Sequence, residues 1–177
     1  MSAAELQSTA LNDYQKGRYA EAAEAFEQSA AAYRADGNRA LAAEMQSNQG
    51  VALRALKDYP RAAAILETAI TELRALNDKQ RLALALGNLG SVLLETNEFA
   101  RAGEALNDAL TLLDPQADKE TRSEVLRVLG EVRLKQGRYI DSLVNYEAGL
   151  RDVKKPTPQQ SWLLKLLQKP LKMLGRK

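Results

Sequence analysis

A chain of 177 residues is long enough for one compact domain or a short repeat array. It contains no cysteine and no histidine, which excludes disulfides, thiolate or imidazole metal sites and any histidine-based catalytic set. The net charge of +2 is unevenly spread. Residues 151–177 carry eight Lys or Arg against one acid, and residues 1–150 carry 17 against 22. An acidic body with a basic tail implies two parts with different jobs.

Alanine and leucine dominate the apolar residues, aromatics make up only 5%, and no β-branched run reads as a strand, so the chain is expected to be all-helical. In chain order, helices are predicted near 3–16, 19–35, 39–56, 59–76, 79–96, 99–113, 117–136 and 139–152. Asp36-Gly37-Asn38 and Asp114-Pro115-Gln116 form turns between pairs, and Pro115 cannot continue a helix. Pro156 to Gln160 reads as the end of an extended linker, 153–160. A last helix over 161–177 is expected to be capped by Ser161. Pro170 should kink that helix or start another.

The helices fall into a repeat of 40 residues. Tyr19, Tyr59, Phe99 and Tyr139 form one column. Ala10, Gly50, Gly90 and Gly130 form a second, Phe26, Leu66, Leu106 and Tyr146 a third, and Ser29, Ala69, Ala109 and Gly149 a fourth. Each unit then reads as two antiparallel helices. The small residue of the second column lets the second helix approach the first closely. The aromatic fills the space beside the turn, and the small residue of the fourth column admits the first helix of the next unit. Gly17, Asn97 and Gly137 suit the left-handed conformation that closes a helix, whereas Lys57 at the same place should be strained.

Leu86, Leu89, Gly90, Leu93, Phe99, Ala102, Leu106 and Ala109 resemble the tetratricopeptide repeat consensus in spacing and type. The longer period and the stretch Leu86-Gly87-Asn88-Leu89-Gly90 are similar to the repeats of Leu-Gly-Asn repeat proteins and kinesin light chains. The resemblance implies an all-α, right-handed solenoid of four helix pairs, near 3–36, 39–77, 79–115 and 117–152, followed by an amphipathic C-terminal helix. It also implies that the first helices line a concave groove. Groove positions are Gln7, Leu11 and Tyr14; Ser47, Asn48, Val51 and Arg54; Leu84, Gly87, Asn88, Ser91 and Glu95; and Glu124, Arg127, Glu131, Leu134 and Lys135.

Within that set, Asn48 and Asn88 stand one period apart. In the resembling group such asparagines grip the main chain of a peptide, and a carboxamide can donate and accept at once. The plainer reading is a polar inner surface or an internal bond to a carbonyl. The lysine and asparagine clamp of chaperone-binding relatives is not met, because Gln7, Leu11 and Leu84 occupy its positions. Arg54, Arg127 and Lys135 could meet acids on a ligand. Their mixture with Glu95, Glu124 and Glu131 argues against a nucleic-acid groove, which needs a coherent basic stripe. No residue set offers a nucleophile with a base, and no cofactor is called for.

Trp162, Leu163, Leu166, Leu167, Leu171 and Leu174 recur at helical spacing among lysines. Three roles are open for this segment: a cap on the last repeat, a membrane-surface anchor, or a contact with another subunit or partner. The sequence therefore reads as a cytosolic, non-enzymatic scaffold or adaptor for a partner peptide or helix. A membrane-surface assembly factor anchored through 161–177 is the alternative.

Overall fold

The computed structural model describes residues 1–173, with side chains through Gln168. Among them are nine helices: α1 (Ala3–Gln15), α2 (Tyr19–Ala35), α3 (Arg39–Ala55), α4 (Tyr59–Ala75), α5 (Lys79–Glu95), α6 (Phe99–Leu112), α7 (Lys119–Lys135), α8 (Tyr139–Asp152) and α9 (Pro158–Met173). No strand occurs among the described residues. The fold is an all-α solenoid in which each helix packs on its neighbour in the chain. The first helices also touch each other, α3 on α5 and α5 on α7.

Local signals set the helix ends. Ser2 and Glu5 form a reciprocal capping box at α1. Asn38, Asp58 and Asp78 cap α3, α4 and α5 by accepting from the backbone N–H three residues on. Six turns share one closing geometry, with positive φ at Gly17, Gly37, Lys57, Asn77, Asn97 and Gly137. The N–H of the following residue reaches back to the third-last helical carbonyl, as from Asp58 to Leu53 at 3.0 Å and from Arg138 to Arg133 at 2.9 Å. Lys57 adopts φ 62°, which a side-chain-bearing residue accepts at a cost of roughly 1–2 kcal/mol. Asn77 is a sixth member of this set that the turn column does not single out. The turn at Pro115 differs. Asp114 accepts from the N–H groups of Gln116 and Ala117, and α7 begins at Lys119.

The second and third sequence columns meet in the core. A methyl on Gly50 would lie 2.6 Å from Leu66 Cγ, and one on Gly90 would lie 2.5 Å from Leu106 Cγ. Any side chain there collides with a fully buried leucine. The fourth column does not admit the next unit. Ser29 Oγ donates to the Ala3 carbonyl, and a methyl on Gly149 would meet the Ser123 carbonyl at 3.0 Å. Both contacts are with the first helix of the same repeat, so two small columns, on opposite helices, set each intra-repeat distance.

The C-terminal segment departs from expectation in three ways. Its helix starts at Pro158, not 161, with Thr157 as the cap: Thr157 Oγ1 accepts from the Gln160 N–H at 3.2 Å, and Gln160 Oε1 accepts from the Thr157 N–H at 2.8 Å. Proline at the first helical position has no N–H to leave unsatisfied, which is why the helix can open there. No second helix starts at Pro170, because α9 runs on to Met173. Of the expected buried face, Leu167 is buried, but Trp162, Leu163 and Leu166 are exposed. The side chain of Leu171, and all of Leu174, lie outside the described residues.

Candidate functional site

The first helices α3, α5 and α7 lie side by side. Between them opens a cavity of about 300 Å³ lined by Arg54, Leu84, Gly87, Asn88, Ser91, Glu120, Thr121, Glu124, Val125 and Val128. Gly87 makes the depression: a methyl there would stand 3.3 Å from Val125 Cγ2, so its absence brings α5 and α7 close and leaves Leu84 bare beside the valines. The floor is apolar and the walls are polar, the usual composition of a site that takes an apolar side chain and orients it with a few hydrogen bonds. A second cavity, lined by Glu120, Ser123, Glu124, Val153, Lys154 and Lys155, adjoins it and shares Glu120 and Glu124.

Of the expected groove residues, Arg54, Leu84, Gly87, Asn88, Ser91 and Glu124 come together in this cavity. Asn48, Val51, Arg127, Glu131 and Lys135 lie on the same helices but do not line it. Asn88 Nδ2 donates to Ser47 Oγ at 3.1 Å, so one end of this amide ties α5 to α3. Ser91 Oγ donates to the Gly87 carbonyl at 3.1 Å. Arg127 grips Glu124 through two bonds of 2.6 and 3.0 Å and approaches Glu131 at 3.9 Å. That guanidinium holds the Glu124 carboxyl below its ordinary range, and Arg54 acts in the same direction. Glu124 is therefore a fixed anion on the wall at neutral pH. In the first repeat, Gln7 Oε1 accepts from Tyr33 Oη at 2.6 Å, and Tyr14 packs on Tyr19 with the rings tilted at 58° and their centroids 5.3 Å apart.

Glu120, Thr121, Val125 and Val128 were missed by the sequence reading. One signal was available: Val128 stands one period after the groove residue Asn88. Transfer of single family positions does not follow the floor across to the next first helix.

A second set of grooves lies between successive second helices. One, of about 440 Å³, lies between α2 and α4, with Gln46, Gln49 and Leu53 of α3 beneath. Its counterpart one period on has Leu86, Leu89 and Leu93 in those places. Gln49 Nε2 donates to Glu27 Oε2 at 3.4 Å, while the buried Gln46 Oε1 has no partner. Among the described residues no group of acids could hold a metal ion, and no helix is long and apolar enough to cross a membrane.

Residues 41–114, which hold the α3–α6 core and one wall of the cavity, match the model of the tetratricopeptide repeat family. These residues carry tetratricopeptide-type repeats, set in an all-α solenoid of helical repeats. No curated protein matches the sequence. Among solved structures it is similar to BtubC (BKLC) from P. vanneervenii, with a TM-score of 0.73 and 21% identity over 88% of this chain. The match spans 66% of that protein's own length, just under two thirds. With 52 solved chains matching, the fold is a widely used frame, and function must be argued from the site.

Proposed function

We propose that the protein is a non-enzymatic scaffold or adaptor that holds a peptide or helix of a partner protein against its first helices. The observation that supports this best is the cavity between α5 and α7. It combines an apolar floor of Leu84, Val125 and Val128 with the fixed anion Glu124 and the polar Asn88, Ser91 and Arg54. An apolar side chain of the partner enters the floor, and its main chain meets the amides. Repeats of this family are non-catalytic and generally mediate protein–protein interaction, which agrees with the reading. Asn48, free of the bond that ties Asn88 to Ser47, is the better placed of the two asparagines to grip a main chain.

The test is capture of partners from a native lysate by the full chain, followed by calorimetry with the purified partner. Leu84→Glu, which puts a carboxylate into the floor, should abolish capture without changing the melting temperature, since Leu84 is already exposed. Asn48→Ala with Asn88→Ala should weaken binding by about 0.5–1.5 kcal/mol for each bond lost. Undiminished capture by Leu84→Glu would remove this face from the binding site.

A further inference from the structure

α9 stands where a fifth first helix would stand in the sequence period: α3, α5 and α7 begin at Arg39, Lys79 and Lys119, and α9 begins at Pro158. The first repeat separates the two faces of such a helix, because no described helix precedes α1. Its buried residues, Ala3, Ala10 and Asp13, with the half-buried Leu6 and Gln7, face its own second helix α2, as the bonds from Ser29 to Ala3 and from Tyr33 to Gln7 show. Glu5, Thr9 and Asn12 are exposed there, whereas their equivalents on α3, Met45, Gln49 and Ala52, are buried. The latter positions are the ones that a preceding repeat covers.

Carried forward to the tail, the positions that face a second helix are apolar, among them Leu163, Leu166 and Leu167. The positions that face a preceding repeat are Lys165, Lys169 and Lys172. Three lysines cannot replace Met45, Gln49 and Ala52 in a dry contact without stranding their charge. α9 accordingly sits on α8 in another orientation, with Leu167 only 8% exposed. The rest of the described seat for a second helix faces solvent: Leu163 is 38% and Leu166 50% exposed, and Trp162 beside them is 65% exposed.

We infer that this stripe of α9 is a docking seat for an acidic amphipathic helix of a partner protein, which packs on α9 as second helices pack on first helices within the solenoid. The surface is separate from the groove of the first helices. Charge selects the occupant: residues 153–177 hold seven Lys or Arg and no acid, so an incoming helix with acidic flanks is attracted. A second copy meeting the seat through its own α9 brings lysines against lysines. The stripe from Trp162 to Leu166 rises only about 6 Å along the helix, and α8 holds the opposite side. That is the scale of one helix crossing another, whereas a membrane-surface helix uses its whole apolar length.

Trp162 is the only tryptophan in the chain and reports from the seat itself. The probe is a lactam-constrained peptide of residues 97–113, the α6 segment, which carries Glu98, Glu104 and Asp108 against Arg101 alone. Added to the full-length protein, it should produce a saturable blue shift of Trp162 emission, and a scrambled peptide of the same composition should produce none. Leu166→Asp should weaken binding by about tenfold or more, and Lys165→Glu should weaken it further as salt is lowered. Both sites are exposed, so both variants should melt with the parent protein. The inference is overturned if the constrained peptide gives no saturable shift, or if Leu166→Asp leaves the shift intact. It is overturned equally if only phosphatidylserine vesicles shift the emission, which would make α9 a membrane contact. A shift that tracks protein concentration together with dimers in sedimentation velocity, with no response to the peptide, would make it a self-association surface.

Discussion

In the third repeat, α6 buries Ala102, Ala105, Leu106 and Ala109, and Phe99 is half covered where Gln136 Nε2 of the next turn donates to its carbonyl at 3.1 Å. In the fourth repeat the same columns hold Tyr146 and Tyr139. Tyr146 is only half-buried, and Tyr139 is 66% exposed. Tyr19, Tyr59 and Phe99 are half-buried, whereas Tyr139 lies exposed and fills no space beside its turn. The difference lies in the unit that adjoins each repeat on its C-terminal side. Phe99 adjoins the turn that follows α7, through the Gln136 bond, whereas α9 leaves Lys165 in solvent and Tyr139 uncovered among the described residues. Burial in a solenoid is thus a property of the interface between units, and a side chain with the right identity gains little where the next unit does not dock.

The contrast should be sharpest at the glycine column. Gly90→Leu forces a side chain into Leu106 and should destabilise by about 3 kcal/mol. At Gly130 the nearest atoms are those of the half-buried Tyr146 ring, 3.1 Å away from a methyl, and the ring can yield outward. Gly130→Leu should therefore cost clearly less in urea denaturation, and equal costs would mean that the fourth repeat is as tightly closed as the third.

The aromatic column gives a smaller effect in the same sense. Phe99→Ala should lose about 2 kcal/mol, below the range for a fully buried ring, while Tyr139→Ala should stay within about 0.5 kcal/mol of the parent protein. A comparable loss at both sites would show that Tyr139 is covered in solution. On α9, Leu167→Ala should cost about 1–2 kcal/mol and Leu166→Ala almost nothing, as read from thermal melts. Unprotected amides along α9 in hydrogen exchange, with neither substitution felt, would mean that α9 leaves α8 in solution.

The smallest effect concerns the inner repeats alone and has the opposite sign. Gln46 is 8% exposed with an unpartnered oxygen, and its equivalent one period on is Leu86. Gln46→Leu should raise stability by about 1 kcal/mol, because an unsatisfied buried acceptor is replaced by a side chain that this place already accepts in the next repeat. A fall in melting temperature would mean that the oxygen is bonded in solution.

The fold was legible because period, capping residues and small columns all act locally. Glycine or asparagine at the turns, Asp58 and Asp78 at helix starts, and Gly90 opposite Leu106 specify helix ends and intra-repeat spacing whatever else the chain does. Lys57 occupies the turn column where strain is expected, and its backbone is left-handed. What each column touches was less legible. Ser29 and Gly149 could have faced either neighbour, and only packing assigned them to the first helix of their own repeat. Of the candidate site, Arg54, Leu84, Gly87, Asn88, Ser91 and Glu124 come from repeat position, while Glu120, Val125 and Val128 join them where α7 closes on α5 beside Gly87.

Residue order alone specifies the helices, their pairing and the distance within each pair, since these depend on residues a few turns apart at a fixed spacing. Packing in three dimensions sets which end of Asn88 is already bonded, where the first helices open into a cavity, and which side of α9 meets α8. Those outcomes depend on the relative rotation of neighbouring helices, which many side chains set jointly, and no single spacing along the chain records it.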